Sequence, residues 1–110
     1  MKIENMDKFL QEIGNTPLLS KEEETALLKA VQEKGPDCDE LERLCWAEMR
    51  FVVSLASHYQ NRGLPLEELI EVGAEGLKMA ALSYDFDDDP KFIQYAVSVM
   101  RRCLEEALAA

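Results

Sequence analysis

No stretch of the sequence stays apolar for the roughly 20 residues that a membrane-spanning helix needs, and Met1–Asn5 offers no apolar signal core. A cytoplasmic chain with no membrane contact is expected. Histidine occurs once, as His58, and the three cysteines, Cys38, Cys45 and Cys103, include no C-x-x-C pair. One histidine and scattered thiols build neither a zinc site nor a catalytic triad, and an odd cysteine count argues against a disulfide framework. A glycine-rich phosphate loop is missing as well. The runs Glu22–Glu24 and Glu67–Glu68 are placed to complement helix dipoles rather than to act as paired catalytic acids. No enzyme, no cofactor and no metal are therefore expected. Basic charge is also scarce: 12 Lys and Arg stand against 22 Asp and Glu, a net charge of -10. Phosphate neutralisation dominates nucleic-acid affinity, so any such contact must be local or delegated to a basic partner. An acidic surface suits a basic protein partner, and it also simply keeps a domain soluble.

What the 110 residues do contain is apolar material, 47% of the total, laid out with helical period. Ile3, Met6, Phe9, Leu10 and Ile13 mark a short amphipathic helix that Gly14 is expected to cap, before the turn Asn15-Thr16-Pro17. Ser20 and Glu23 form a capping box for a helix carrying Ala26, Leu27, Ala30 and Val31, which Gly35-Pro36 stops. Asp37 and Glu40 read as the next cap. A single long helix is then expected, with the stripe Leu41, Leu44, Cys45, Met49, Val52, Val53, Ala56 and Tyr59. After Asn61-Arg62-Gly63, Pro65 opens a helix with Leu69, Ile70, Gly73, Gly76, Leu77 and Ala80 on one face. Its two glycines lower helix propensity and are expected to admit a neighbouring backbone. Asp85–Asp89 is an acidic loop, with Asp89-Pro90 as cap and first residue of a last helix holding Phe92, Tyr95, Ala96, Val99, Met100, Cys103, Leu104 and Ala107. The expectation is an all-α bundle of about five helices in one domain spanning 1–110, its first helix docked as an arm.

Asp85, Asp87 and Asp89 alternate as in a calcium loop, but Pro90 stands where the glycine belongs and Ala96 where the bidentate glutamate belongs. A solvated loop is the expectation. Tyr84, Phe86, Phe92 and Tyr95 gather around that loop, with Lys91, Arg101 and Arg102 on the helix behind it. Aromatics interleaved with bases suit stacking of unpaired nucleotides. Phe92 is expected in the core.

These residues carry a family resemblance. Met49-Arg50-Phe51-Val52-Val53-Ser54-Leu55-Ala56, Tyr59-Gln60-Asn61-Arg62-Gly63-Leu64, and Leu69-Ile70 with Gly73 and Gly76-Leu77 resemble region 2 of bacterial primary-type RNA polymerase sigma factors. Phe9–Gly14 and Pro17–Glu24 are similar to region 1.2 of that family, and Lys91-Phe92, Tyr95-Ala96 and Arg101 match its K-F-x-x-Y-A-x-W-W-I-R helix. The resemblance divides the chain into region-1.2-like helices over 1–35 and a region-2-like core over 37–110.

The resemblance implies a part in transcription initiation. The helix after N-R-G-L would dock on a coiled coil of the polymerase β′ subunit, through Leu66, Glu68, Leu69, Glu71 and Ala74. Tyr84, Lys91, Tyr95, Arg101 and Arg102 would hold the single-stranded non-template minus-ten promoter DNA. An anti-sigma protein is a further implied partner. Departures qualify this. The family's tandem tryptophans are Ser98 and Val99, its basic loop is replaced by Asp87 and Asp88 with Asp89 where a glycine is usual, and residues 63–110 hold 4 bases against 10 acids, a net -6. Carboxylates beside a phosphate path repel it. On the docking helix the family's Q-E-G-N reads Glu71-Val72-Gly73-Ala74. The regions that read other promoter elements are not in this sequence, so a piece of a longer factor or a reduced relative is expected. The alternative is a degenerate interaction module that binds polymerase or a sigma regulator without melting DNA.

Overall fold

The computed structural model of the chain describes residues 3–87 and 91–110, and every regular element among them is an α-helix. In chain order these are α1 Met6–Asn15, α2 Lys21–Lys34, α3 Asp39–Ala47, α4 Met49–Ser57, α5 Leu66–Ser83 and α6 Phe92–Ala109. The all-α class matches the periodicity. The number exceeds the expected five because the long helix is divided at Glu48, whose φ of -96° and ψ of 7° leave the helical region. The apolar stripe runs straight through the bend: Leu41, Leu44 and Cys45 are buried from α3, and Met49, Val52, Leu55 and Ala56 from α4. A one-residue change of dihedral leaves i, i+3 and i+4 spacing intact, so the pattern does not reveal it. Tyr59, read as the end of that helix, is buried in the turn that follows α4.

Local chemistry explains several helix ends. Ser20 and Glu23 form the expected box: the Glu23 N–H donates to Ser20 Oγ at 3.1 Å and the Ser20 N–H to Glu23 Oε1 at 3.0 Å. Bonding to the Ser20 backbone holds the Glu23 carboxyl below its ordinary range. Gly35 ends α2 with a φ of 92°, a conformation open to glycine. Two expected caps are replaced. Gly14 lies inside α1, and Cys38, not Asp37, precedes α3 without a side-chain cap; Glu40 pairs instead with Lys34. The caps drawn at Asp89 and Pro90 lie outside the described residues, and α6 begins at Phe92 after Lys91.

α1 is closed from a distance. Arg50 on α4 donates from Nη2 to the carbonyls of Gly14 at 3.1 Å and Thr16 at 2.7 Å, and from both Nε and Nη2 to that of Ile13 at 3.3 Å. The last carbonyls of a helix have no partner within it, and a guanidinium complements both them and the dipole. Trp46 adds a bond from Nε1 to Thr16 Oγ1 at 2.9 Å, with its ring edge-on to Phe9 at 5.7 Å.

α5 is the centre of the bundle. Leu69, Ile70, Gly73, Ala74, Gly76, Leu77, Ala80 and Ala81 are all buried along it. A β-carbon on Gly73 would lie 3.1 Å from Val52 Cγ1 on α4; one on Gly76 would lie 3.0 Å from Met100 Cα on α6. The two glycines thus admit neighbours on different sides, and at Gly76 the neighbour is backbone. Gly76→Ala is expected to cost a net of roughly 1–2 kcal/mol in urea unfolding, despite the helix propensity it gains. Gly73→Ala, facing a side-chain methyl that can shift, is expected to cost less in the same measurement.

Glu48 is the buried charged residue of the described core, and no cation stands beside it among the described residues. Burial, then a hydrogen bond and repulsion from the Glu24 carboxyl on α2, push its pKa up from 4.5 to about 8. The folded chain therefore keeps a proton that the unfolded chain releases, so this group's contribution is full below 4.5 and is lost as pH rises through about 8. Denaturant midpoints measured across this range should show a fall with pH that Glu48→Gln removes.

Candidate nucleic-acid and partner interface

α5 and α6 form an antiparallel hairpin, which brings the end of one helix against the start of the other. The ring of Tyr84, just after α5, is the meeting point of three others: Phe86 edge-on at 5.2 Å, Phe92 edge-on at 5.4 Å and Tyr95 tilted at 5.9 Å. Tyr95 Oη and Ser83 Oγ share a hydrogen bond of 2.8 Å across the hairpin. Phe92 is buried, as expected of a core residue, whereas Tyr84 and Tyr95 are half-buried and Phe86 is exposed. The aromatic group is therefore a ledge with a buried foot and an open face.

The ledge forms one wall of a cleft of about 500 Å³, lined by Tyr84, Phe86, Lys91 and Phe92 on one side. The opposite wall is α2, with Lys21, Glu24, Thr25 and Leu28. Lys29 of α2 stands 5.8 Å over the Phe86 ring, a cation–π contact. Lys21, Lys29 and Lys91 thus bring positive charge to one place on a chain of net charge -10, although exposed Asp85 and Asp87 adjoin it. Asp85 Oδ1 accepts the Asp87 N–H at 2.9 Å, a local turn of the acidic loop. The contribution of α2 was not legible in the motif pattern, since nothing local tells Lys21 or Lys29 that an aromatic lies across from it.

The remaining expected nucleic-acid residues sit further along α6. Arg101 and Arg102 are both exposed. Helical geometry places Arg102 two turns beyond Tyr95 on the same face, about 10 Å along the axis, and turns Arg101 away from it. Of the pair Ser98 and Val99, the serine is exposed and donates to the Tyr95 carbonyl at 2.7 Å, while the valine is buried. The surface at this point offers no aromatic ring.

The expected partner surface divides. Leu69 and Ala74 are buried and hold α5 in the bundle, so neither presents its side chain outward. Leu66 and Glu71 are half-buried and Glu68 is exposed. Glu68 and Glu71 line a shallow groove with Val72, Glu75 and Cys103, between α5 and α6. Glu75 was not singled out from the sequence, Val72 was read only as a departure from the family's Q-E-G-N and Cys103 only as an apolar residue of the last helix; the i, i+3, i+4 and i+7 spacing of 68, 71, 72 and 75 was the available signal. Elsewhere, burial pushes the Cys45 thiol up to about 11, which leaves it an inert packing group. Among the described residues no helix is long and apolar enough to cross a membrane.

The sequence is similar to known proteins. Residues 5–36 match the family model of Sigma-70 factor, region 1.2. The RNA polymerase sigma factor SigA of Listeria monocytogenes is 38% identical over 101 residues, covering 92% of this chain and 26% of that protein. SigA of Clostridium acetobutylicum is 39% identical over 101 residues, with the same coverage of 92% and 26%. The RNA polymerase sigma factor RpoS of Coxiella burnetii is 36% identical over 100 residues, 91% of this chain and 28% of its own. The chain spans about a quarter of the length of the curated relatives it matches.

Because three rings converge on Tyr84, its removal should loosen the ledge as a whole. Tyr84→Ala is expected to lower unfolding stability by about 2 kcal/mol, less than a fully buried aromatic would. Tyr95→Ala, at the edge of the group, should cost less in the same thermal or urea melt.

Proposed function

Since the sequence is related to the RNA polymerase sigma factors over nine-tenths of its length, we propose that this chain is a sigma-factor-like module of transcription initiation. It acts by binding rather than by catalysis. One surface engages the polymerase core and another takes an unpaired strand of promoter DNA. The observation that carries the reading is the half-open Tyr84–Tyr95 ledge, facing a lysine-bearing cleft, on a chain that matches sigma factors on both sides of it. An opened strand exposes the faces of its bases, and aromatic stacking contributes roughly 1–3 kcal/mol per base. Tyr84 and Tyr95 supply the rings, Lys91 and Arg102 phosphate contacts along the same side of α6, and Arg101 a contact further round it. On the polymerase side, Leu66, Glu68 and Glu71 form the contact surface for the β′ coiled coil. Leu69 and Ala74 support it from within.

A second reading has its own support. Ser98 and Val99 place no ring at the edge of the ledge, and exposed Asp85 and Asp87 border the phosphate path. On that reading the chain keeps the acidic α5 groove for polymerase, or for an anti-sigma regulator, and does not melt DNA. Two binding measurements separate the readings. A single-stranded minus-ten oligonucleotide should bind at low salt and lose roughly tenfold in affinity on Tyr95→Ala. A β′ coiled-coil fragment should be retained by the immobilised chain and released on Glu68→Lys with Glu71→Lys. Oligonucleotide binding that is absent even at low salt, with the β′ complex intact, selects the second reading. Loss of both removes the polymerase assignment.

A further inference from the structure

Gln32 lies on the face of α2 that also carries Thr25, Leu28 and Lys29, at i, i+3, i+4 and i+7 spacing. Thr25 and Leu28 line the cleft and Lys29 covers Phe86. Gln32 does something different: its amide nitrogen donates to two main-chain carbonyls of a distant segment, Ala81 at 3.1 Å and Tyr84 at 2.7 Å. Ala81 belongs to the last turn of α5, where carbonyls lack partners within the helix. Tyr84 is the residue at which the chain leaves α5, extended at φ -64° and ψ 132°. One amide therefore bridges the end of the helix and the residue whose ring organises the ledge. The direction in which the chain leaves α5 sets the direction of the Tyr84 side chain, and so the width of the cleft between that ring and α2.

We propose that Gln32 is a positioning residue for Tyr84, fixing the ring from α2 so that a nucleobase can enter between the ledge and that helix. The inference deepens the nucleic-acid reading and rests on it. Gln32 need not touch a base; it acts through the Tyr84 backbone. It makes α2 part of the frame of the binding site as well as one of its walls. The chemistry required of the residue is donation: a group of similar length without an N–H would fill the space and leave both carbonyls unheld.

Three variants of the full chain test this. Gln32→Met keeps the length and removes the donor, Gln32→Glu turns a carboxylate toward two carbonyls, and Gln32→Lys restores donation. Amide hydrogen exchange over residues 81–87, with α2 as internal reference, and affinity for a single-stranded minus-ten oligonucleotide at low salt are the readouts. The Met and Glu variants should exchange roughly tenfold faster over that segment and bind roughly tenfold more weakly, with protection of α2 unchanged. The Lys variant should stay within about twofold of the parent in both. A Met variant that behaves like the parent overturns the proposal, as does a Lys variant no better than Met, which would make the role one of shape alone. Should the parent chain bind no oligonucleotide, the nucleic-acid reading falls, and the exchange comparison alone decides whether Gln32 holds Tyr84.

Discussion

The bundle depends on how closely α6 can cross α5, and that distance is set where Gly76 faces Met100. With Met100 Cα only 3.0 Å from the place of an absent β-carbon, the two backbones approach closely at this point. The closeness is what lets an antiparallel hairpin bring Ser83 and Tyr95 within a hydrogen bond of each other at its loop end. It also sets Phe92 under Tyr84, so the aromatic ledge has a buried foot and cannot swing as a loop would. Gly73 performs the matching service toward Val52 on α4. α5 is thus enclosed on several sides; its outward face carries Glu67, Glu68, Glu71 and Glu75 over its first half and exposed Met79 and Leu82 further along. Interior packing and the surface offered to a partner follow from the same crossing.

The N-terminal helices are joined to this frame by polar bonds as well as by apolar contact. Arg50 and Trp46 close the end of α1, and Gln32 ties α2 to the end of α5. Each of these bonds satisfies helix-terminal or turn groups that would otherwise need water. They run between the part of the chain that matches the region 1.2 family model and the part beyond it. A change in the position of α2 would therefore reach the ledge directly, through the backbone of Tyr84.

Charge is distributed in a way that the net value conceals. The acids of α5 gather where Glu68, Glu71 and Glu75 line one groove, while Lys21, Lys29 and Lys91 gather around the aromatic cleft, interleaved there with Glu24 and the adjoining Asp85 and Asp87. At physiological salt, interactions between exposed charges fade over about 8 Å. Local sign at each surface then matters more for recognition than the total of -10. Glu48 is the exception to solvated acidity. Buried at the bend between α3 and α4 and facing Glu24, it tolerates its position by holding a proton.

Much of the fold could be read from residue order, because its causes are local. The Ser20–Glu23 box, the glycine stop at Gly35 and the apolar stripes of α4, α5 and α6 involve residues within a turn or two of one another. The bend at Glu48 escaped because a single altered dihedral does not disturb the spacing on either side. The cap of α1 was misplaced at Gly14 because its true partner, Arg50, lies 36 residues away. The same reason governs the candidate site. Sequence alone determined the helices, the aromatic and basic residues near the α5–α6 loop, and the resemblance to sigma factors. Tertiary structure decided that Ala74 faces inward, that Lys21 and Lys29 join Lys91, and that Gln32 reaches Tyr84. Those outcomes depend on which helices pass close to one another, and proximity in space is a property of the packed bundle that no local pattern encodes.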